Sequence, residues 1–252
     1  MISVKNSSEI SKMRESNRIV GLLLHKLDDI IKPGISTYTI NKFADELIRN
    51  EGGEPAFKGY TIPGLPPFPA AICSSPNSCI VHGIPSKKQL LQEGDIIGID
   101  VGVYKNGFYG DAAKTFQVGE ISDKAVALMA ITKEALRRGI AQARDGARVG
   151  DISHAIGSYV TSQGYFIADD LTGHGIGTSL HEDPVVPNIG RKGKGPRLKK
   201  GMTIAIEPMV NIGTNRVIEN GWEFYVADGT LSAHFEHTIL ITENEAELLT
   251  EY

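Results

Sequence analysis

The sequence predicts an α/β chain built twice over. Its periodic segments run helix, helix, strands, then helix, helix, strands, and short motifs recur in the same order in two halves, roughly 1–120 and 121–252. A chain of 252 residues can bury a sizeable core without staples, as one large domain or two small ones, and no linker-like stretch divides it.

Ser7 or Ser8 is placed to cap a first helix whose apolar positions Ile10, Met13, Ile19, Val20, Leu23 and Leu24 recur at helical spacing. It should stop before Lys32, Pro33 and Gly34. A second helix is expected over 37–50, with Ile40, Phe43, Leu47 and Ile48 as its buried stripe and Gly52 with Gly53 as its stop. Residues 90–103 then read as a turn feeding a buried strand, because the run from Ile96 to Val101 is apolar and β-branched on both faces. Residues 109–118 are its antiparallel partner, joined through the hairpin signal Lys105-Asn106-Gly107. Helices follow over 123–143 and 151–163.

Three motif pairs support the duplication. Gly34, Ile40 and Gly52 reappear 112 positions later as Gly146, Ile152 and Gly164. Val81, His82 and Pro85 are matched by Leu180, His181 and Pro184, and the spacing Leu91, Gly94, Ile97, Ile99, Asp100 by Leu198, Gly201, Ile204, Ile206, Glu207. Each half therefore offers a histidine turn and a strand ending in a carboxylate. Halves packed about a pseudo-twofold axis would bring these groups into one cleft.

Five oxygen or imidazole donors stand out: Asp100, Asp111, His174, Glu207 and Glu236. Each lies at the end of an apolar run or in a Gly-rich turn, not on a solvated helix face. Asp100 and Asp111 can face each other across the hairpin ladder, where two buried carboxylates would repel without a cation. Glu207 and Glu236 are carboxylates where a core residue is expected, and Gly173-His174-Gly175 presents an imidazole on a backbone stripped of side chains. Four carboxylates with one imidazole suit two hard or borderline divalent cations, and such centres hydrolyse bonds.

Composition narrows the partners. A formal net charge of −4 argues against a broad nucleic-acid footprint, and the one basic stretch, 191–200, is broken by Gly and Pro into a solvated loop. No apolar stretch fits a signal peptide or a membrane span, and two cysteines, Cys73 and Cys79, make no disulfide framework. A cytoplasmic protein is expected. Cys79 and His82 lack the second pair that a zinc site needs, and no phosphate-binding glycine loop is present.

Taken together, Leu171-Thr172-Gly173-His174-Gly175-Ile176-Gly177, Ile206-Glu207-Pro208-Met209, Phe235-Glu236-His237-Thr238, Val81-His82-Gly83-Ile84-Pro85 and the spacing of Asp100 to Asp111 resemble the type I methionine aminopeptidases over nearly the whole chain. The resemblance implies a pita-bread α/β fold, an antiparallel sheet covered by helices, with internal pseudo-twofold symmetry. It implies two divalent metal ions (Co, Mn, Fe or Zn), bridged by Asp111 and Glu236, with Asp100 on one and His174 and Glu207 on the other. The implied reaction removes the initiator methionine of nascent or new chains when the second residue is small, by attack of a metal-held hydroxide on the scissile carbonyl. Glu207 would carry the proton, and His82 and His181 would hydrogen-bond the scissile peptide. Tyr60, Phe68, Cys73 and Trp222 would line the methionine pocket, with His82 and His181 at its edge.

Two stretches depart from the family pattern: the Pro-rich segment 61–67 beside the pocket and Asn77-Ser78, where Asn-Glu is usual. Proline-specific relatives share the ligands but carry a large N-terminal domain, for which a helix starting near residue 8 leaves no room. The type II enzymes carry an insertion that 32 residues between His174 and Glu207 exclude. A non-catalytic binding module would be expected to lose ligands, and all five are present. The resemblance further implies a monomer that reaches nascent chains with possible ribosome contact through the catalytic domain's surface. Because residue 2 is Ile, Met1 is expected to be retained.

Overall fold

The structure, a computed structural model, describes residues 2–251; Met1, whose retention the sequence predicts, lies outside them. Helix α1 (Ser7–Ile30) starts one residue earlier than a Ser7 cap allows. Asn6 is the cap: its side chain accepts from the amides of Ser8 and Glu9, and the Glu9 carboxylate reaches back to the Asn6 amide at 2.7 Å. That reciprocal arrangement satisfies orphan donors that a serine inside the first turn could not reach. Helix α2 (Thr37–Asn50) has the expected bounds, but its buried stripe centres on Ile40, Ala44 and Ile48, with Phe43 and Leu47 only partly covered.

Four strands follow α2 and its short β1 (Glu54–Pro55) closely: β2 (Cys73–Pro76), β3 (Cys79–Val81), β4 (Ile96–Lys105) and β5 (Phe108–Gln117). The β4–β5 ladder is the long hairpin that the sequence predicts, closed by a two-residue turn in which Asn106 and Gly107 both adopt positive φ. Helix α1 packs on this hairpin, and its Leu23, Leu24 and Leu27 share a core with Ile97, Ile99 and Val101 of β4.

The second half repeats the scheme with shorter strands. Helix α3 (Asp123–Ile140) ends before residue 143, and α4 (Val149–Ser162) begins two residues earlier than expected, because the Asp151 carboxylate accepts from the Arg148 amide and so lies inside the first turn. Then come β6 (Phe166–Ile167), β7 (Thr172–Gly175), β8 (Glu182–Pro187), β9 (Thr203–Ile206), β10 (Met209–Asn211), β11 (Val217–Asn220), β12 (Glu223–Val226), β13 (Ser232–His234), β14 (His237–Leu240) and β15 (Glu247–Leu248). All strand pairs are antiparallel, and the largest sheet of this half runs β15-β14-β9-β7-β8.

The paired motifs repeat their backbone hydrogen bonds. Gly34 donates to Leu91 at 2.7 Å, and Gly146 to Leu198 at 3.0 Å. Gly94 donates to Val118 and Gly201 to Ile241, each at 3.0 Å, and both glycines sit at φ 90°. Those two backbone positions favour glycine for the same reason in each half. Each half also has its own apolar core, one around α1 and β4, the other around α3, α4 and β9. Between them lies a third cluster containing Phe57, Phe68, Cys73, Leu180 and Trp222, which floors the cleft.

The basic stretch 191–200 is a solvent-exposed loop apart from buried Leu198. No helix among the described residues is long and apolar enough to cross a membrane.

Candidate metal centre and pocket

Asp100 and Asp111 do not sit directly opposite one another. The register pairs Asp100 with Ala113 and Asp111 with Gly102, so the carboxylates are diagonal neighbours on one face of the hairpin. Burial pushes the Asp100 carboxyl up to about 7, against the opposing pull of hydrogen bonds with Asp111 and the Val101 amide. Asp111 is held well above the carboxylate range by burial first, then by the charges of Glu236 and Asp100. The other two acids behave alike: burial, then Asp100 and Asp111, raises Glu207, and burial, then Glu207 and Asp100, raises Glu236. Two buried acids, Asp111 and Glu236, and two partly buried ones, Asp100 and Glu207, are an expensive arrangement for a stable fold.

His174 belongs to strand β7, not to a turn. Its glycine neighbours are demanded by packing: a Cβ on Gly173 would meet the Ala205 carbonyl oxygen, and one on Gly175 that of Asp183, both far inside contact distance. The strand is thus pressed between β8 and β9 and projects only the imidazole. The His174 Nδ1–H donates to its neighbour's carbonyl, Gly175 O, at 2.9 Å, which leaves Nε2 as the lone-pair atom. That Nε2 lies 3.5 Å from Glu207 Oε1 and 3.9 Å from Asp111 Oδ2. Burial, then His181, lowers the ring to about 4, so it is neutral at pH 7.

Glu207 follows β9, its carbonyl held by the Asn188 amide group at 3.0 Å. Glu236 lies between β13 and β14, its amide donating to Ala113 O on β5 at 2.9 Å. The Thr238 hydroxyl donates to Asp111 O at 2.7 Å. The centre is therefore knitted from both halves. Asp111, His174 and Glu236 each offer a ligand atom within 4.8 Å of the others, and Glu207, His234 and Glu236 do the same. Asp100 Oδ1, Asp111 Oδ1, Glu236 Oε1 and His234 Nε2 are buried without a hydrogen-bond partner among the described residues. Orphaned acceptors converging in this way fit divalent cations, which would satisfy them and cancel the repulsion. His234 is the one member of the centre that the sequence reading passed over.

All six expected pocket residues, Tyr60, Phe68, Cys73, His82, His181 and Trp222, line one cavity of about 180 Å³ whose far wall is the acid cluster. Phe57, Ile62 and Leu180 complete its apolar side and were not anticipated. Its size suits one side chain, against roughly 300 Å³ or more for a drug-sized ligand. Cys73 pairs with Asp100 in the β2–β4 ladder, and burial, then the charges of Asp100 and Asp111, drives its thiol well up. It serves as a small apolar wall. The Trp222 indole N–H donates to Pro66 O at 2.8 Å, which ties the Pro-rich segment to the pocket, and Phe68 meets the indole edge-on at 5.4 Å.

His82 is held at φ 59°, a backbone region costly for a non-glycine residue, with its ring edge-on to Phe224. Its Nδ1 is buried and unpartnered. Burial, then His181, lowers it to about 4, and burial also lowers His181. His181 stands 4.4 Å from His174, ring to ring. Two neutral imidazoles flank the opening between the acids and the apolar pocket.

The sequence profile of metallopeptidase family M24 matches residues 11–243. The chain is 48% identical over 252 residues to the methionine aminopeptidase of Clostridium acetobutylicum and 45% identical over 252 residues to methionine aminopeptidase 1 of Bacillus subtilis, with 99% of each chain covered in both cases. Its structure resembles the crystal structure of methionine aminopeptidase from Thermotoga maritima with a TM-score of 0.96 at 43% identity over the full length of both. The prolidase from Pyrococcus furiosus shares the fold at a TM-score of 0.78 and 24% identity, and 65% of that chain is covered.

Proposed function

The chain belongs to metallopeptidase family M24 and, within it, to the type I methionine aminopeptidases, and on that footing we propose that it removes the initiator methionine from new proteins whose second residue is small. The observation that carries this reading is one cavity with two unlike walls: an apolar slot behind Tyr60, Phe68, Cys73 and Trp222, and the acid cluster facing it. Asp100, Asp111, His174, Glu207 and Glu236 would hold divalent cations between the two halves. Cations held there supply Lewis-acid polarisation of a carbonyl and make water acidic near neutral pH. Their identity, among Co, Mn, Fe and Zn, is decided by availability.

The chain's own groups do the rest. The slot takes the methionine side chain, and an apolar, aromatic surface suits a thioether. Neutral His82 and His181 orient the scissile peptide by hydrogen bonds. Glu207, which shares the buried centre with no cationic side chain, accepts a proton at its carboxylate and returns it to the leaving amine. Because both halves contribute ligands, neither could hold the centre alone, and we read residues 1–252 as one catalytic domain acting as a monomer on nascent chains. Such a substrate puts the work in the cytoplasm, in keeping with two free, buried thiols.

The test is hydrolysis of Met-Ala-Ser and Ala-Pro-Ala by metal-stripped protein with Mn²⁺ or Co²⁺ restored, beside a Glu207→Ala control. Methionine release that needs both metal and Glu207 is expected. Alanine release would favour proline-specific chemistry, and silence with every metal would sink the reading.

A further inference from the structure

We infer that His234 is an additional metal ligand, which with Glu207 and Glu236 forms a second imidazole-bearing subsite beside that of His174. The ring ends strand β13 and is 3% exposed. Its Nε2 points between two carboxylates, 3.6 Å from Glu207 Oε2 and 3.8 Å from Glu236 Oε2, and has no hydrogen-bond partner among the described residues. Those separations are too long for a hydrogen bond. They are close to what one cation imposes, since two donors each about 2.1 Å from a tetrahedral ion stand roughly 3.4 Å apart.

Glu207 occupies the middle of the arrangement. One of its oxygens faces His174 Nε2 at 3.5 Å and the other faces His234 Nε2 at 3.6 Å. The backbone leaves His234 little freedom. Its amide donates to the Thr115 hydroxyl oxygen at 2.9 Å, while that hydroxyl donates to the His234 carbonyl at 2.8 Å. Across the ladder Met209 pairs with it, and its Cβ packs over Gly98 of β4, two residues from Asp100. A neutral nitrogen donor added to an oxygen-rich centre favours borderline cations such as Fe²⁺, Co²⁺ and Zn²⁺ over Mn²⁺ or Mg²⁺.

The inference rests on the metal-centre reading, and the experiment separates the two. Metal-stripped full-length protein is loaded with two equivalents of Co²⁺, and hyperfine-shifted, exchangeable imidazole N–H proton resonances are counted by NMR in water. The unmodified chain should show resonances from two coordinated imidazoles, with one lost in His234→Gln and the other in His174→Gln. The ratio of Co²⁺ to Mn²⁺ dissociation constants should move at least about tenfold toward Mn²⁺ in His234→Gln. Spectra of His234→Gln that keep both resonances, or a single resonance in the unmodified chain, would overturn the ligand role while leaving the centre intact. No Co²⁺ uptake at all would overturn both readings. Should His234→Gln fail to fold, the count on the unmodified chain still decides.

Discussion

The Tyr60 hydroxyl and Nδ1 of His181 are joined by a hydrogen bond of 2.8 Å, and the two rings meet edge-on at 5.5 Å. Whichever atom carries the proton, the bond fixes the plane of an imidazole that lines the cavity beside the acid cluster, and it does so from a residue of the cavity's apolar wall. Substrate fit and imidazole orientation are thereby linked through one side chain. Tyr60→Phe keeps the slot's shape and removes about 1 kcal/mol of hydrogen bonding. Its kcat/KM for a Met-Ala peptide should fall about fivefold with metal content unchanged, as read by steady-state kinetics and metal analysis.

Without metal, the centre should make stability depend on pH in an uncommon direction. The acids have raised values in the folded state, so the native chain holds more protons than the unfolded one and stability falls as pH rises. The buried imidazoles His82, His174 and His234, lowered from 6.5 to about 4, 4 and 3, act oppositely, but only below the unfolded value of 6.5. Above it the acids act alone. Each proton held only by the native state is worth about 1.4 kcal/mol per pH unit, or roughly 3–5 °C. Thermal melts of metal-stripped protein should drop between pH 6.5 and 8.5, and those of metal-loaded protein should not; parallel curves would contradict the assignment.

The glycines around His174 give a sharper mutational test. A Cβ at position 175 would stand 2.1 Å from the Asp183 carbonyl oxygen, which belongs to the backbone and cannot swing away. Gly175→Ala should therefore separate β7 from β8 and cost more than about 3 kcal/mol, or prevent folding. Gly64→Ala, in open space at the tip of the Pro-rich segment, should cost far less because it meets nothing and pays only for its φ of 89°. Melting temperatures of the two variants check the contrast.

The same glycines show where sequence reading stopped. A Gly-His-Gly string looks like a turn, and only the neighbouring carbonyl oxygens reveal a strand whose side chains were removed by crowding. The four helices and the β4–β5 hairpin were legible because long apolar periods and an Asn-Gly turn are local signals. Strands of two to four residues, such as β6 and β10, carry too few positions for a period and exist through their partners. The five expected ligands and six pocket residues meet in one cavity, a convergence for which the sequence offered only separate strings. His234 was overlooked although it stands two positions before Glu236, because an imidazole at a strand end has no spacing signature.

Lys5 and Glu182 form an ion pair at 2.9 Å with only 4% and 14% of their side chains exposed, and the Lys5 amide donates to Gly201 O. Burial alone would raise the Glu182 carboxyl; hydrogen bonds from Lys5 and the Ser179 amide, with the Lys5 charge, bring it below its usual value. The pair's stabilisation is present above pH 4.5 and lost as pH falls through the lowered value. Lys5→Met strands a part-buried carboxylate and should cost about 1–3 kcal/mol at pH 7, between exposed and fully buried pairs. Denaturant titrations at pH 7 and pH 4 should show the penalty shrinking in acid.

The hydrogen bond from Trp222 to Pro66 turns the chain's only tryptophan into a built-in optical gauge. Its indole is 7% exposed, packed against Phe68 and within 6.4 Å of the His82 ring, and both neighbours line the same cavity as the indole. A ligand side chain entering the slot must change the polarity around that one fluorophore, with no second indole to dilute the signal. Titrating methionine or a Met-terminal inhibitor should shift and saturate the emission, giving pocket occupancy in real time without a label and without turnover.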